Sequence, residues 1–371
     1  MTRIVLSLLL VLATTPAIAQ QPQDATTTLT VRSTLVQVPV QVKTKSGKNI
    51  YELTADQFLV TDNGIPQTIT LDDDTGSQPL ALAIVVQTGG AGAAHLAEYY
   101  GLGAILDGIL GNVDHLVAVV SFDSTARLLQ PFTPNTTLAT KQLNNLQPGD
   151  NGAAILDGVA FAVSQLRQQP ANYRHAILLF SETIDQDSNT SMGEALRLIS
   201  DTNTTMYSFA FSSPHAARHE ASKFTQAEAG PAHGCFSRDG ADAEYEGHYS
   251  KQVLDCISQL APPVRLATMA FVAARNSLRT NTAESIAQLT GGEFVHFNNP
   301  KDLQKGLVTI INDMPNFYSL SFHPQPPTPG LHDLHVELKD HPPFELKARS
   351  AYWIDDAKIA SHFANQSFRD C

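Results

Sequence analysis

What the sequence lacks narrows the field first. No basic run offsets its formal net charge of −12, which argues against nucleic acid or an anionic membrane surface as partner. Past the N-terminus, no apolar run reaches the roughly 18 residues of a membrane-spanning helix. Cysteine is scarce: Cys235, Cys256 and Cys371 allow one disulfide within the chain and leave one thiol over. No Gly-x-Ser-x-Gly elbow is present. His215 is not followed by Glu, so the zinc-protease signature is missing too. What remains is 371 residues with an ordinary 43% hydrophobic share, enough for two or three domains and a substantial core.

The first residues carry a targeting pattern. Arg3 supplies the positive end, Ile4 to Leu12 the apolar stretch, and Ala17-Ile18-Ala19 a small-x-small cleavage site before Gln20. Residues 1–19 are therefore expected to be a signal peptide, and the mature protein to be exported, periplasmic or extracellular. No cysteine follows the cleavage site, so a lipid anchor there is not expected. Export permits disulfides. Cys235 and Cys256 lie in one segment and are the expected pair, a closure contributing roughly 3 kcal/mol in the chain-entropy model. Cys371 is left as a free thiol, an interchain partner, or a replacement for either of the two.

The chain is organised around Leu80 to Leu110. Leu80-Ala-Leu-Ala-Ile-Val-Val86 is a continuous apolar run, which predicts a strand buried on both faces. Gln87-Thr-Gly-Gly-Ala-Gly92 predicts a tight turn, and a helix is expected from Ala93 to Leu110. In parallel sheets a ligand site lies just beyond the carboxyl end of such a strand. The alternation then continues. Strands are expected at 115–122, 175–181, 205–211 and 293–297, and an antiparallel edge strand at 126–132, since the link through Asp123-Ser-Thr125 is too short for a crossover. Helices are expected at 138–146, 153–166, 192–199, 282–289 and 300–314. Pro214 to about Asn276 breaks the rhythm with four histidines and two cysteines, and reads as an insertion.

Period-two alternation marks the flanks as antiparallel strands: Leu29-x-Val31, Leu35–Val42, Leu59–Asn63 and Ile65–Leu71 at one end, Phe317–Phe322, Leu334–Leu338 and Phe344–Tyr352 at the other. Neither flank alone has strands enough for a core. Residues 28–72 and 316–353 are therefore expected to fold together as a β-sandwich, with an α/β domain at 78–315 inserted between them and a polar tail at 354–371.

This serial order resembles a von Willebrand factor type A domain, down to the antiparallel edge hairpin. The flanks extend the likeness. Val38-Pro-Val-Gln-Val, Leu53-Thr-Ala-Asp-Gln-Phe and Asp62-Asn-Gly are similar to the exported von Willebrand A-related proteins of acidobacteria. So are Leu289-Thr-Gly-Gly-Glu-Phe, Tyr318-Ser-Leu-Ser-Phe and Pro329-Gly-Leu-His. The resemblance implies a Rossmann-like α/β fold and a metal-ion-dependent adhesion site, built from Asp-x-Ser-x-Ser, a later Thr and a later Asp. The matching positions here are Gln87-Thr88-Gly89-Gly90-Ala91, Ala153 and Glu182. Mg²⁺ wants hard oxygen ligands, and one carboxylate survives among these positions, so no metal or other cofactor is expected. The implied function is a non-enzymatic module that binds a protein or cell-envelope ligand, through these residues or through the insertion.

Rival patterns read less well. Gly90-x-Gly92 would need a third glycine where His95 stands, against a dinucleotide. Asp185-x-Asp187-x-Asn189-x-Ser191 opens like a calcium loop but has Thr190 and Leu196 where Gly and Glu belong. Its ordinary reading is a loop whose Asn or Ser caps the helix at Met192, with Glu194 in the first turn. A calcium-stabilised envelope protein is the alternative it would support. His215 and His219 with Cys235 or His233 could hold zinc. Ser121, Ser181 and Asp123 at strand ends leave a cryptic hydrolase as a further alternative. Asp157 reads as a capping or solvated residue rather than an acid catalyst.

Overall fold

The structure, a computed structural model, describes residues 35–72, 78–110, 113–213, 281–314, 317–339 and 344–355. The signal-peptide segment, the strand expected at Leu29–Val31, the insertion with Cys235 and Cys256, its histidines, and the tail with Cys371 lie outside the described residues.

In chain order the first flank supplies β1 (Val36–Lys43), β2 (Phe58–Asp62), β3 (Ile65–Pro66) and β4 (Ile69–Asp72). The central part follows with β5 (Leu80–Gln87), α1 (Leu102–Leu110), β6 (His115–Phe122), β7 (Ala126–Thr133), α2 (Thr136–Leu143), α3 (Ile155–Leu166), β8 (Arg174–Glu182), α4 (Met192–Asp201) and β9 (Thr205–Phe211). After the insertion come α5 (Thr282–Leu289), β10 (Phe294–His296) and α6 (Pro300–Asp313). The second flank supplies β11 (Tyr318–Phe322), β12 (Gly330–Leu338), β13 (Glu345–Ala348) and β14 (Ala351–Ile354).

Six strands form the central sheet in the order β10-β9-β8-β5-β6-β7. All neighbours are parallel except the edge hairpin of β6 and β7. Strand β5 is buried along its whole length, which is why its sequence is continuously apolar. Its larger side chains Leu80, Leu82, Ile84 and Val86 face α1, α2 and α6, while Ala81, Ala83 and Val85 face α3, α4 and α5. Helix caps were written locally. Asn135, Ser191, Asn281 and Asn299 each accept a backbone N–H from the first turn of the helix that follows.

The flanks form two four-stranded antiparallel sheets, β13-β1-β11-β4 and β14-β12-β2-β3, each drawing strands from both ends of the chain. Val38 stands opposite Leu320 and Val60 opposite Val336. The inner faces share one core that includes Val36, Val38, Val40, Phe58, Leu320, Phe322, Leu334 and Tyr352.

Three expectations are corrected. The helix expected from Ala93 to Leu110 is a 3-10 segment over Gly90–Tyr99 followed by α1. The break falls at Gly101, whose φ of +89° lies in the left-handed region. The single strand expected at Ile65–Leu71 is divided into β3 and β4, and that at Phe344–Tyr352 into β13 and β14. In each case the two pieces join different sheets. A chain crossing from one sheet to the other must leave the first ladder, and alternation alone does not register that break.

Candidate functional site

The carboxyl ends of β5, β6 and β8 bring together all seven residues singled out from the sequence. Gln87 and Glu182 are the last residues of adjacent strands, and both are fully buried. Their side chains complete one another. Gln87 Oε1 accepts the Glu182 backbone N–H at 2.8 Å, while Gln87 Nε2 donates to Glu182 Oε1 at 3.0 Å and to Gly89 O at 3.1 Å. The other carboxylate oxygen, Glu182 Oε2, accepts from Ser213 Oγ at 2.5 Å. Thr88 is buried as well, its hydroxyl donating to Phe122 O at 3.2 Å.

Glycine lets the neighbouring loops close over this corner. A side chain on Gly89 would overlap Gly152 O, and its Cβ would stand 2.7 Å from Asp123 Cβ. Gly90 has φ +51° and donates its N–H to Asp150 O at 2.8 Å. Ala91 beside it is partly exposed. Ala153 is buried and bridges to the loop after β8 through its carbonyl, which accepts from Gln186 N at 3.0 Å.

A second network holds the loop between α2 and α3. Buried Asp123, just past β6, accepts from Arg127 NH1 at 2.6 Å, from Thr125 N at 2.9 Å and from Asp150 N at 3.3 Å. Asp150 in turn accepts from Ser124 N and Gly152 N. Burial alone would raise the pKa of Asp123. The Arg127 guanidinium and the two amides outweigh it, so the carboxyl titrates below its ordinary range. Sequence reading left Asp123 as one of several strand-end groups. The signal for its role was Arg127, four residues on across a hairpin.

The acidic loop after β8 has its residues turned to separate tasks. Asp185 Oδ1 accepts from Leu156 N at 2.9 Å in the first turn of α3, and from Ser188 Oγ at 2.6 Å. Burial raises the Asp185 pKa, and these bonds offset only part of that. Asp157 receives Asn189 N, Asn189 Nδ2 and Thr190 N. Burial pushes its pKa up, but those bonds prevail and hold it below the ordinary value. Ser191 caps α4 by accepting from Glu194 N at 3.2 Å. Ser121 is buried, and Ser181 Oγ donates to Glu182 O at 2.8 Å.

As a donor set for a hard divalent cation, this corner does not fit. It offers an amide, two glycines, two alanines, a hydroxyl already bonded, and one carboxylate with both oxygens engaged. What faces outward is the rim. Ser124, Thr125, Arg127, Asp150, Asn151, Asp187, Asn189 and Ser212 are exposed.

No family model and no curated protein matches the chain. Among solved structures, an aerotolerance-related membrane protein from Bacteroides fragilis is similar at 15% identity and a TM-score of 0.36. It covers 63% of this chain and 98% of its own. The vWF domain of the type V pili tip protein Mfa5 from Porphyromonas gingivalis is similar at 18% identity and a TM-score of 0.27, over 31% of this chain and 43% of that one. The SpRpn10 VWA domain has 11% identity and a TM-score of 0.28, over 38% of this chain and 79% of its own. The described residues themselves define the class of protein: an α/β fold with a six-stranded, mostly parallel sheet between two helical layers.

Proposed function

We propose that this protein is an exported, non-enzymatic interaction module with a von Willebrand A-like core, whose sheet-top corner works without a metal ion. The observation that supports this most is the network in which Gln87 bonds Glu182 twice and Gly89 O once, while Ser213 takes the other Glu182 oxygen. It satisfies, within the protein, polar atoms that an adhesion site would turn toward a cation and a partner. In this reading Gln87, Thr88, Gly89, Ala153 and Glu182 shape the corner. Gly90, Ala91 and the exposed rim around Asn151 and Asp187 meet the protein or cell-envelope ligand.

The described residues that bracket the insertion lie at this same corner. The chain leaves the described residues after Ser213, bonded to Glu182, and returns at Asn281, just before Thr282. Thr282 Oγ1 accepts from Asp185 N at 3.2 Å, and Ala283 N donates to Thr183 O. The residues that bracket the insertion therefore lie beside the rim, and the insertion itself is the alternative contact surface to the sheet top. Export rests on Arg3, Ile4–Leu12 and Ala17-Ile18-Ala19, and sequencing the N-terminus of the processed protein tests it, the expected start being near Gln20.

The binding test is affinity capture from the source organism's cell envelope with and without EDTA. Capture that persists in EDTA and is lost in the rim variant Asn151→Arg/Asp187→Arg is the expected result. Capture that requires added Mg²⁺ overturns the reading.

A further inference from the structure

The segment Leu289-Thr-Gly-Gly-Glu-Phe294 has no part in the sheet-top corner. It joins α5 to β10, at the side of the α/β body that meets the flanking sheets. Each of its middle residues makes a contact with β9 or with the opposing flank. Thr290 Oγ1 accepts Met206 N at 3.0 Å, anchoring the turn to β9. Gly291 has φ +78°, and a Cβ there would stand 2.6 Å from Arg349 N on the opposing flank. Gly292 lies flat on the Met206 carbonyl, where any side chain would overlap. Glu293 pairs with Lys347 Nζ of β13.

The opposing partner is Arg349, at the crossing from β13 to β14. Its side chain is 2% exposed. Nε donates to Ala351 O at 3.1 Å and NH1 to Gln37 O at 3.3 Å, within the flanking sheets. NH1 also reaches Asn203 Oδ1 at 3.3 Å, and NH2 reaches Ser200 Oγ at 3.4 Å, both at the end of α4 and the turn to β9. Ser200 Oγ accepts in addition from Trp353 N at 3.0 Å. Its acceptors among the described residues are neutral oxygens. Burial pushes its pKa down to about 10, the mark of a cation held without full compensation. Only a rigid, preformed set of acceptors holds a buried charge in this way.

We propose that Thr290-Gly291-Gly292-Glu293, together with Lys347 and Arg349, is a latch that locks the flanking β-sheets onto the α/β body and fixes the direction in which the sheet top is presented. This goes beyond the binding reading and does not depend on it. The latch makes the two parts unfold as one body, although their cores are separate.

Calorimetry of the full mature chain tests this with the variants R349A, E293K, K347E and the double variant E293K/K347E. The latch predicts one transition in the wild type, a split into two in R349A, and a loss of roughly 2 °C in each single charge variant that the double variant recovers. Hydrogen exchange on the wild type supplies an independent reading. The Trp353 amide is expected to exchange at the rate of the β5 amides, within about threefold. One unshifted transition in R349A overturns the proposal. So does a double variant no better than the singles, or a Trp353 amide exchanging a hundredfold faster than β5. Should R349A fail to fold, the charge-swap cycle and the wild-type exchange rates decide the matter.

Discussion

At the scale of single residues, Glu182 is a buried carboxylate whose two oxygens are both engaged within the protein. Its oxygens take Gln87 Nε2 and Ser213 Oγ, contacts that a glutamine could also serve. Glu182→Gln should therefore change stability by less than about 1 kcal/mol. Glu182→Ala should cost roughly 2–4 kcal/mol, because it removes the acceptor of two buried hydrogen bonds and leaves a cavity. Chemical denaturation of the pair measures the contrast. Gln87→Asp sets a second buried carboxylate beside the first and should cost about 3–5 kcal/mol.

Asp185 and Asp123 behave oppositely with pH. Asp123 has a depressed folded pKa, so its contribution is present above its unfolded value of 3.8 and is lost as pH falls through the lower folded value. Asp185 has a raised folded pKa, so its ionisation costs stability as pH rises past 3.8. Asp185→Asn keeps both accepted hydrogen bonds and should flatten that cost. The stability of this variant relative to the wild type is expected to increase as pH rises from about 3 to about 6.

At the scale of elements, the buried strands and the cap of α4 were legible because each depends on residues within one stretch. The run Leu80–Val86 announced β5, and Ser191 before Met192 announced α4. The corner was legible as a place but not as a mechanism. Gln87 and Glu182 lie 95 residues apart and Ser213 another 31 on, and no local pattern says that they will saturate one another. The glycines were misleading in a particular way. Gly89 reads as a turn residue, whereas it is required by the approach of Gly152 O and Asp123. Placing a serine there should therefore fail to create a metal site. Gly89→Ser is expected to destabilise by about 1–3 kcal/mol through overpacking, read as a lowered melting temperature that Mg²⁺ does not restore. The strand breaks at Pro66–Ile69 and Arg349–Ala351 were invisible for a related reason, since a chain can change sheets without losing its alternation.

At the scale of the whole molecule, the flanks are interdependent. Strands β1 and β2 pair with β11, β13 and β12, so Val36, Val38, Val40 and Val60 are covered only when both chain ends are present. Deleting residues 317–355 should leave these side chains exposed and drive the protein into aggregates, measurable as loss of soluble yield. Above the sandwich, the α/β body presents a corner whose polar atoms are spent on one another. Paramagnetic broadening by millimolar Mn²⁺, read on the backbone amides of Gly89 to Ala91 and Asn151 to Ala153, tests that corner most directly. The amides should keep their line widths throughout the titration. Saturable broadening at those amides that vanishes in Glu182→Ala would contradict a metal-independent site.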